Sequence, residues 1–514
     1  MVSVVVFEFG GMRCQPLRLA LGYKEETAMY AGIDFGTSNC SIGIWENRNP
    51  VLLPLEGESN RLASALYTSR PNVHIEKIDE FELKKRVAAS KRLQSTNAKK
   101  AKEENRIFKE LSDIELEISE RGVMRRELAE RSKAKYENQS ISEVLYADTE
   151  VVFGEAAILN HIQDPHSGFF IKSPKSFLGA DLKHHHIELF AEIVTRMLAF
   201  IKGRAERNIE SEIQNIVLGR PVNFHGTRGD EGNVQAVNIL KRAAIAAGFR
   251  NVEFLMEPIA AALDFERSIS EDLVVLVLDI GGGTTDCSMV KLGPSYIQSM
   301  ERSGSVLGYA GDRIGGTDLD IKLALRKIMP FLGKDTLLSN GLPIPNTIFS
   351  NAVAINDVNA QQHFLSESTL RDIASYLSLA VDSRKVQRLQ NLHKGRLTVR
   401  LNRSAELAKI HLSDRDSIRL PLRYIEPEFI IPISRDDFRE SIECELDIFL
   451  SLMKEVEKQA GVMPNIIYVT GGTVKSPVVY EWIRSNYKNV EIVVGDAFGS
   501  VASGLTTWAH RIYA

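Results

Sequence analysis

The chain has 514 residues, 44% hydrophobic and 25% charged, with a formal net charge of −4. That length predicts about two to four domains or subdomains with ample apolar material for their cores. A composition this close to the soluble-globular average excludes a disordered, collagen-like or membrane-embedded chain, and the slight negative charge gives no electrostatic case for binding nucleic acid.

Taken in chain order, residues 1–28 do not read as the start of a domain. The Val2–Phe7 apolar run has no basic flank and is followed by Glu8, a poor match to a signal peptide. Met29 immediately precedes the first strand-like run, so residues 1–28 are read as an upstream extension with Met29 as the start, or as an ordinary chain tail. Tyr30–Ile33 and Ser41–Trp45 are predicted strands around the turn Asp34-Phe-Gly-Thr-Ser-Asn-Cys40. Residues 75–137 hold 17 basic and 14 acidic residues and no proline, with loosely helical apolar spacing at Phe81, Leu83, Val87 and Leu93. We read charged helices projecting from the first lobe, either a solvated hairpin or a partner-docking arm. His184–His186 cannot all face one ion from regular structure, so a surface loop is expected there.

A second pair of strands is predicted at Leu273–Leu278 and Cys287–Leu292, around Asp279-Ile-Gly-Gly-Gly-Thr-Thr-Asp286. Gly308–Gly316 resembles a dinucleotide loop only weakly, because no strand clearly precedes it. Asn340–Asn346 is expected to be a loop, broken by Gly341, Pro343 and Pro345. No G-x-x-x-x-G-K-[ST] motif occurs, and no apolar run is long enough to span a bilayer. Cys14, Cys40, Cys287 and Cys444 lack metal or disulfide spacing, which fits a reducing cytoplasm. Cys40 and Cys287 are expected to be small buried strand residues.

The two Asp-Gly-Thr turns lie 245 residues apart and suggest two similar lobes. Their chemistry favours phosphate. Gly36 and Gly281–Gly283 permit positive φ and close backbone approach to an anion, while Thr37, Ser38, Thr284 and Thr285 add hydroxyl donors. Asp34, Asp279 and Asp286 repel phosphate unless they hold Mg²⁺ and its waters. The plainer alternative is a pair of tight hairpins with Asp and Thr as turn formers.

These turns resemble the paired phosphate hairpins of the actin-like ATPase superfamily, in which ATP lies between two lobes. Further segments resemble its 70-kDa heat-shock chaperone branch: Phe153-Gly-Glu-Ala-Ala157, Lys175-Ser-Phe-Leu-Gly179, Val217–Phe224, Glu257-Pro-Ile-Ala-Ala-Ala262, Glu406–Ser413 and Gly471-Gly-Thr-Val-Lys-Ser-Pro477. The order holds from about residue 30 to 510, and the match is closest to short YegD-type chaperone-like proteins. The resemblance implies an α/β fold: a first lobe at 29–270 with an inserted subdomain at about 67–186, and a second at 271–514 with one at about 316–429.

It also implies roles. Asp34 and Asp279 would hold Mg²⁺; Lys175, Glu257, Asp286 and Thr284 would serve hydrolysis. Gly36, Thr37, Ser38, Asn39 and Gly281–Gly283 would cradle phosphates. Gly315, Gly316, Gly471 and Gly472 would let backbone approach the nucleotide, with Glu406, Lys409 and Ser413 near adenosine. Glu257 also reads as a helix-start carboxylate, and Glu406, Lys409 and Ser413 as an ordinary helix stripe. Two features depart from the chaperones: Ile410 stands where an adenine-stacking arginine is expected, and no peptide-binding domain is expected after the second lobe. The expected function is a slowly hydrolysing ATPase in the cytoplasm, with ATP/ADP and Mg²⁺, a protein partner or client, and neither nucleic acid nor membrane. A carbohydrate kinase and a nucleotide-dependent filament are the rivals.

Overall fold

A computed structural model describes residues 29–69, 79–103, 116–117, 120, 124, 151–165, 168–224, 229–297, 303–496 and 499–514. The extension at 1–28, with Cys14, and nearly all of 104–150 lie outside the described residues.

The chain builds the same sheet twice. In the first half, β1 (Met29–Phe35) and β2 (Asn39–Glu46) form an antiparallel hairpin, and β3 (Asn49–Leu52) and β4 (Leu62–Ala63) both pair with β2. A separate small sheet joins β5 (Ala65–Ser69), β6 (Val151–Phe153) and β7 (Gly168–Lys172). β8 (Ile213–Arg220) then lies parallel to β1, and β9 (Asn251–Met256) parallel to β8. In the second half, β10 (Leu273–Ile280), β11 (Thr285–Leu292) and β12 (Val306–Asp312) run antiparallel in succession. After the short pair β13 (Ser417–Pro421) and β14 (Ile430–Ser434), β15 (Ile466–Thr470) and β16 (Glu491–Val494) add parallel strands on the far side of β10. The orders β3-β2-β1-β8-β9 and β12-β11-β10-β15-β16 are equivalent, position by position. The central strand β10, Leu-Val-Val-Leu-Val-Leu-Asp-Ile, is a near-continuous apolar run, as burial on both faces requires.

Helices cover these sheets. α1 spans Glu80–Glu103, and α2 (Gly154–Gln163) packs on β5. α3 (His184–Ile209) and α4 (Asp230–Ala246) pack together over the first sheet. Two further helices cross between the sheets. α5 (Glu257–Glu266), from the first half, packs on β10 and β11; α9 (Ser500–Tyr513), which ends the chain, packs on β1, β2 and β8. Val217, Ala260–Ala262, Val275, Val277 and Leu505 form one apolar cluster joining both halves. The crossing is close: a β-carbon at Gly504 would lie 1.7 Å from the Ala260 carbonyl oxygen, so only glycine fits there. α6 (Gly316–Leu323), α7 (Thr398–Asp414) and α8 (Glu443–Ala460) belong to the second half, with α8 covering β11 and β12.

Two expectations need correction. His184–His186 form the first turn of α3, not a loop, because the apolar stripe that follows recruits the preceding residues into the helix. The weak likeness of Gly308–Gly316 to a dinucleotide loop goes no further in the structure: Gly308 and Gly311 lie inside the antiparallel strand β12. Asn346 opens a helix (Asn346–Val353), and the loop ends at Pro345. Cys40 and Cys287 are fully buried strand residues, and burial, the main cause, raises the Cys40 thiol to about 12.

Candidate functional site

The two hairpin turns face each other across a cavity of about 600 Å³. Asp34 and Asp279 end β1 and β10 at equivalent places: Asp34 pairs with Ser41 across its hairpin, and Asp279 with Asp286. Gly36, Thr37, Ser38 and Asn39 line the cavity from the first turn, and Gly281, Gly282 and Thr284 from the second. Among the described glycines, Gly36 and Gly281–Gly283 are not at positive φ. Gly36 and Gly282 are required for proximity instead. A β-carbon on Gly282 would stand 1.9 Å from the Ser38 Oγ, so the turns of the two halves come close enough to interlock.

Behind the turns lies a buried charge cluster. Lys175, in the short turn Pro174–Phe177 after β7, donates to Glu257 Oε1 at the first residue of α5; they are 4% and 7% exposed. Asp286 Oδ1 accepts from the Val222 backbone N–H at 2.7 Å, tying β11 to the segment after β8. Burial, reinforced by the Glu257 charge and opposed by Lys175, pushes Asp34 up to about 7. Burial and Glu257 push Asp286 to about 7 as well, against the Val222 and Thr284 hydrogen bonds. Asp279 is raised well above the carboxylate range by burial and then by Glu257, Asp286 and Asp34. Burial works against the Lys175 ammonium, yet Glu257 and Asp34 outweigh it and raise its pKa. Four carboxylates facing one ammonium make a site that gains from a further cation, and the hard oxygen donors suit Mg²⁺. Among the described residues no three His, Cys, Asp or Glu side chains converge into a cage, so any such ion would keep much of its water.

The cavity's other end is an ion-pair network. On α7, Glu406 accepts from Arg403 at 2.9 Å and lies 3.7 Å from Lys172 of β7. Arg403 also donates to Glu155 of α2 at 2.9 Å. Burial alone would raise Glu406, but Lys172 and Arg403 overcome it and hold it down at about 2. Lys409 donates to the Gly316 carbonyl at 2.8 Å and to Asp320 at 3.0 Å, and Asp320, raised mainly by burial, sits at about 6. Ile410 lines this end and is 48% exposed.

Of the residues singled out from sequence, Asp34, Glu257, Asp279, Gly316, Glu406, Lys409, Gly471 and Gly472 also line the cavity. Lys175 and Asp286 stand directly behind its wall through the contacts above. Gly283, Gly315 and Ser413 are not on the wall; Gly315 packs on the Gly281–Gly283 backbone, and the Ser413 hydroxyl turns back to the Lys409 carbonyl at 3.4 Å. Glu155, Lys172, Asp320 and Arg403 were not anticipated. Arg403 stands three residues before Glu406, a helical pair spacing that was open to view.

Residues 184–330 match a family model described as Hsp70 protein. The chain is similar to 70-kDa heat-shock chaperones. It is 25% identical over 350 residues to a chaperone protein DnaK of Methanothermobacter thermautotrophicus, covering 66% of this chain and 47% of that protein. It is 25% identical over 399 residues to a chaperone protein HscA homolog of Acinetobacter baumannii, covering 72% of this chain and 52% of that protein. The chain thus spans about half the length of the curated relatives it matches. These matches support the 70-kDa chaperone family, and with the repeated sheets they assign the two-lobed actin-like ATPase fold. Among the described residues no helix is long and apolar enough to cross a membrane.

Proposed function

We propose that this chain is a Mg-ATP-binding, slowly hydrolysing, chaperone-like ATPase whose two lobes alter their closure with nucleotide state. The observation that carries this reading is the pair of equivalent turns interlocking at one cavity, backed by Lys175, Glu257 and three aspartates. The lobes are taken as 29–270 and 271–514, with α5 and α9 exchanged across their floor. The kinship with short YegD-type proteins and a soluble, cytoplasmic setting belong to the same proposal.

Asp34 and Asp279 would hold Mg²⁺, which supplies charge neutralisation at the polyphosphate. The backbone N–H groups of the two turns and the hydroxyls of Thr37 and Thr284 bind and orient phosphate oxygens. Hydrolysis forms a bond from a water oxygen to the γ-phosphorus and breaks the bridge to ADP, with the proton leaving to phosphate or solvent. Positioning and electrostatics carry most of that barrier. Lys175 offsets charge as it develops, and Glu257 fixes the ammonium's position. The glutamate and lysine of α7 serve the nucleoside end, where Ile410 offers an aliphatic contact to the base in place of a cation.

Titration calorimetry with ATP, ADP and other nucleoside triphosphates, with and without Mg²⁺, tests the binding. Turnover of Asp34→Asn and Asp279→Asn tests the site. Mg-dependent ATP binding with turnover lost in both variants is expected; wild-type turnover in both would defeat the assignment.

A further inference from the structure

The helix α1 separates charge in a way the nucleotide cleft does not use. From Lys84 to Lys102 it carries eight Lys or Arg residues and no Asp or Glu, in a chain whose net charge is −4. One face is spent on packing: Leu83 is 1% exposed, Val87 and Gln94 are partly covered, and the Ser90 hydroxyl donates to Glu120 at 2.6 Å. The opposite face is exposed at Lys84, Lys85, Arg92 and Lys99. Lys85, Arg92 and Lys99 recur every seventh residue, so they stack in one column about 21 Å long. Phe81, 78% exposed, stands one turn before Lys85 in that column, and Leu93, 62% exposed, borders it. The nearby carboxylate of Glu82 reaches Lys85 and Arg86 only at 3.8 and 3.7 Å, a solvent-exposed contact that neutralises little.

We propose that this face is a docking surface for an acidic protein segment that carries an apolar side chain among its carboxylates. A cationic column with two bare apolar groups matches a ligand offering both charge and apolar surface. Phosphate backbone supplies charge but leaves Phe81 and Leu93 unmatched. A bilayer needs an apolar helix face, and here that face is turned inward at Leu83.

The test uses the full chain and a fluorescent Glu-rich peptide of about 20 residues with leucine at every seventh position, read by anisotropy at about 50 mM salt. Parallel arms use poly-glutamate of equal length, a duplex DNA of about 20 base pairs, and phosphatidylserine-containing vesicles. The Glu-rich peptide is expected to bind tightest and to weaken at least about tenfold at about 0.5 M salt. The triple variant Lys85→Glu/Arg92→Glu/Lys99→Glu is expected to lose about tenfold or more, with unchanged circular dichroism and cleft nucleotide affinity. Phe81→Ala is expected to weaken the leucine-bearing peptide but not poly-glutamate. No peptide binding at low salt, equal binding by the triple variant, or tighter binding of DNA or vesicles overturns the proposal.

Discussion

Asp34→Asn is expected to make the metal-free protein more stable while removing its turnover. Burial and the Glu257 charge lift the Asp34 carboxyl from 3.8 to about 7. A carboxyl raised in the folded state binds more protons there than in the unfolded chain between those two values. Stability therefore falls as pH rises through that window and stays low above it. The rise is about three pKa units, or about 4 kcal/mol at full expression, by the usual conversion of one unit. Asparagine still has a polar group to desolvate, so about half of that gain, roughly 2 kcal/mol, is expected to be realised. For a lobe of about 240 residues this is roughly 4 °C or more in Tm. Thermal unfolding followed by circular dichroism in EDTA, from about pH 4 to about pH 8, reads the effect directly. The variant's advantage should be absent at the acid end and complete by about pH 8, where added Mg²⁺ should stabilise the wild type and not the variant. An Asp34→Asn protein that melts below wild type at about pH 8 without metal would refute the reasoning, because the carboxylate would then be stabilising in place.

Other substitutions probe the remaining contacts. Lys175→Ala leaves the buried Glu257 without its partner and should cost about 3–5 kcal/mol in denaturant titration, whereas Lys175→Met with Glu257→Gln should recover stability without turnover. Gly282→Ala drives a β-carbon against Ser38 and should weaken nucleotide binding about tenfold or more, with partial rescue by Ser38→Gly; an unchanged calorimetric affinity would show that the turns do not meet. Arg403→Ala removes up to about 1 kcal/mol of attraction between the halves, so stopped-flow release of a labelled nucleotide should quicken by up to about fivefold, and wild-type release should quicken with salt. Glu406, held at about 2 against an ordinary 4.5, contributes stability that is present above that ordinary value and lost as pH falls through the interval; an acid melt of Glu406→Gln should be flatter there than wild type.

The half of this site formed by the two turns was legible because its chemistry lies in contiguous residues. A strand, an Asp-Gly-Thr turn and a second strand occur twice, and both copies fold as hairpins in equivalent sheet positions. What the turn residues do was only partly legible. Glycine was expected for positive φ, but at Gly282 it is needed because Ser38, from the other copy of the hairpin, occupies the space a side chain would take. The ion-pair end of the cavity was less legible because its partners are far apart in the chain. Glu155 and Arg403 are 248 residues apart, and nothing local in either segment announces their pairing. Lys172 carries no local signal either, and only the fold places β7 beside α7. The crossing of α5 and α9 was hidden too, since nothing local in either segment says which sheet receives the helix.

The contacts across the cleft differ in kind with depth, and that ordering constrains how the halves can move. At the floor, α5 and α9 meet at glycine distance through an apolar cluster that includes strands of both sheets. Prising these apart would expose Val217, Val275, Val277 and Leu505, at about 25 cal/mol per Å² of apolar surface. Midway, the Val222 N–H reaches Asp286 and the Asn223 amide reaches the Gly311 carbonyl at 3.2 Å, contacts that are directional but few. At the mouth, among the described residues, side-chain ion pairs join Glu155 and Lys172 to α7, and these exchange readily for water and salt. Cohesion therefore decreases from floor to mouth, which favours hinging about the α5–α9 crossing over sliding. A hinge there moves the ion-pair end farthest and the buried carboxylates least. Under the proposed nucleotide-dependent closure, ligand contacts at α7 would then be the ones whose strength changes most, and only such differential contacts can bias it.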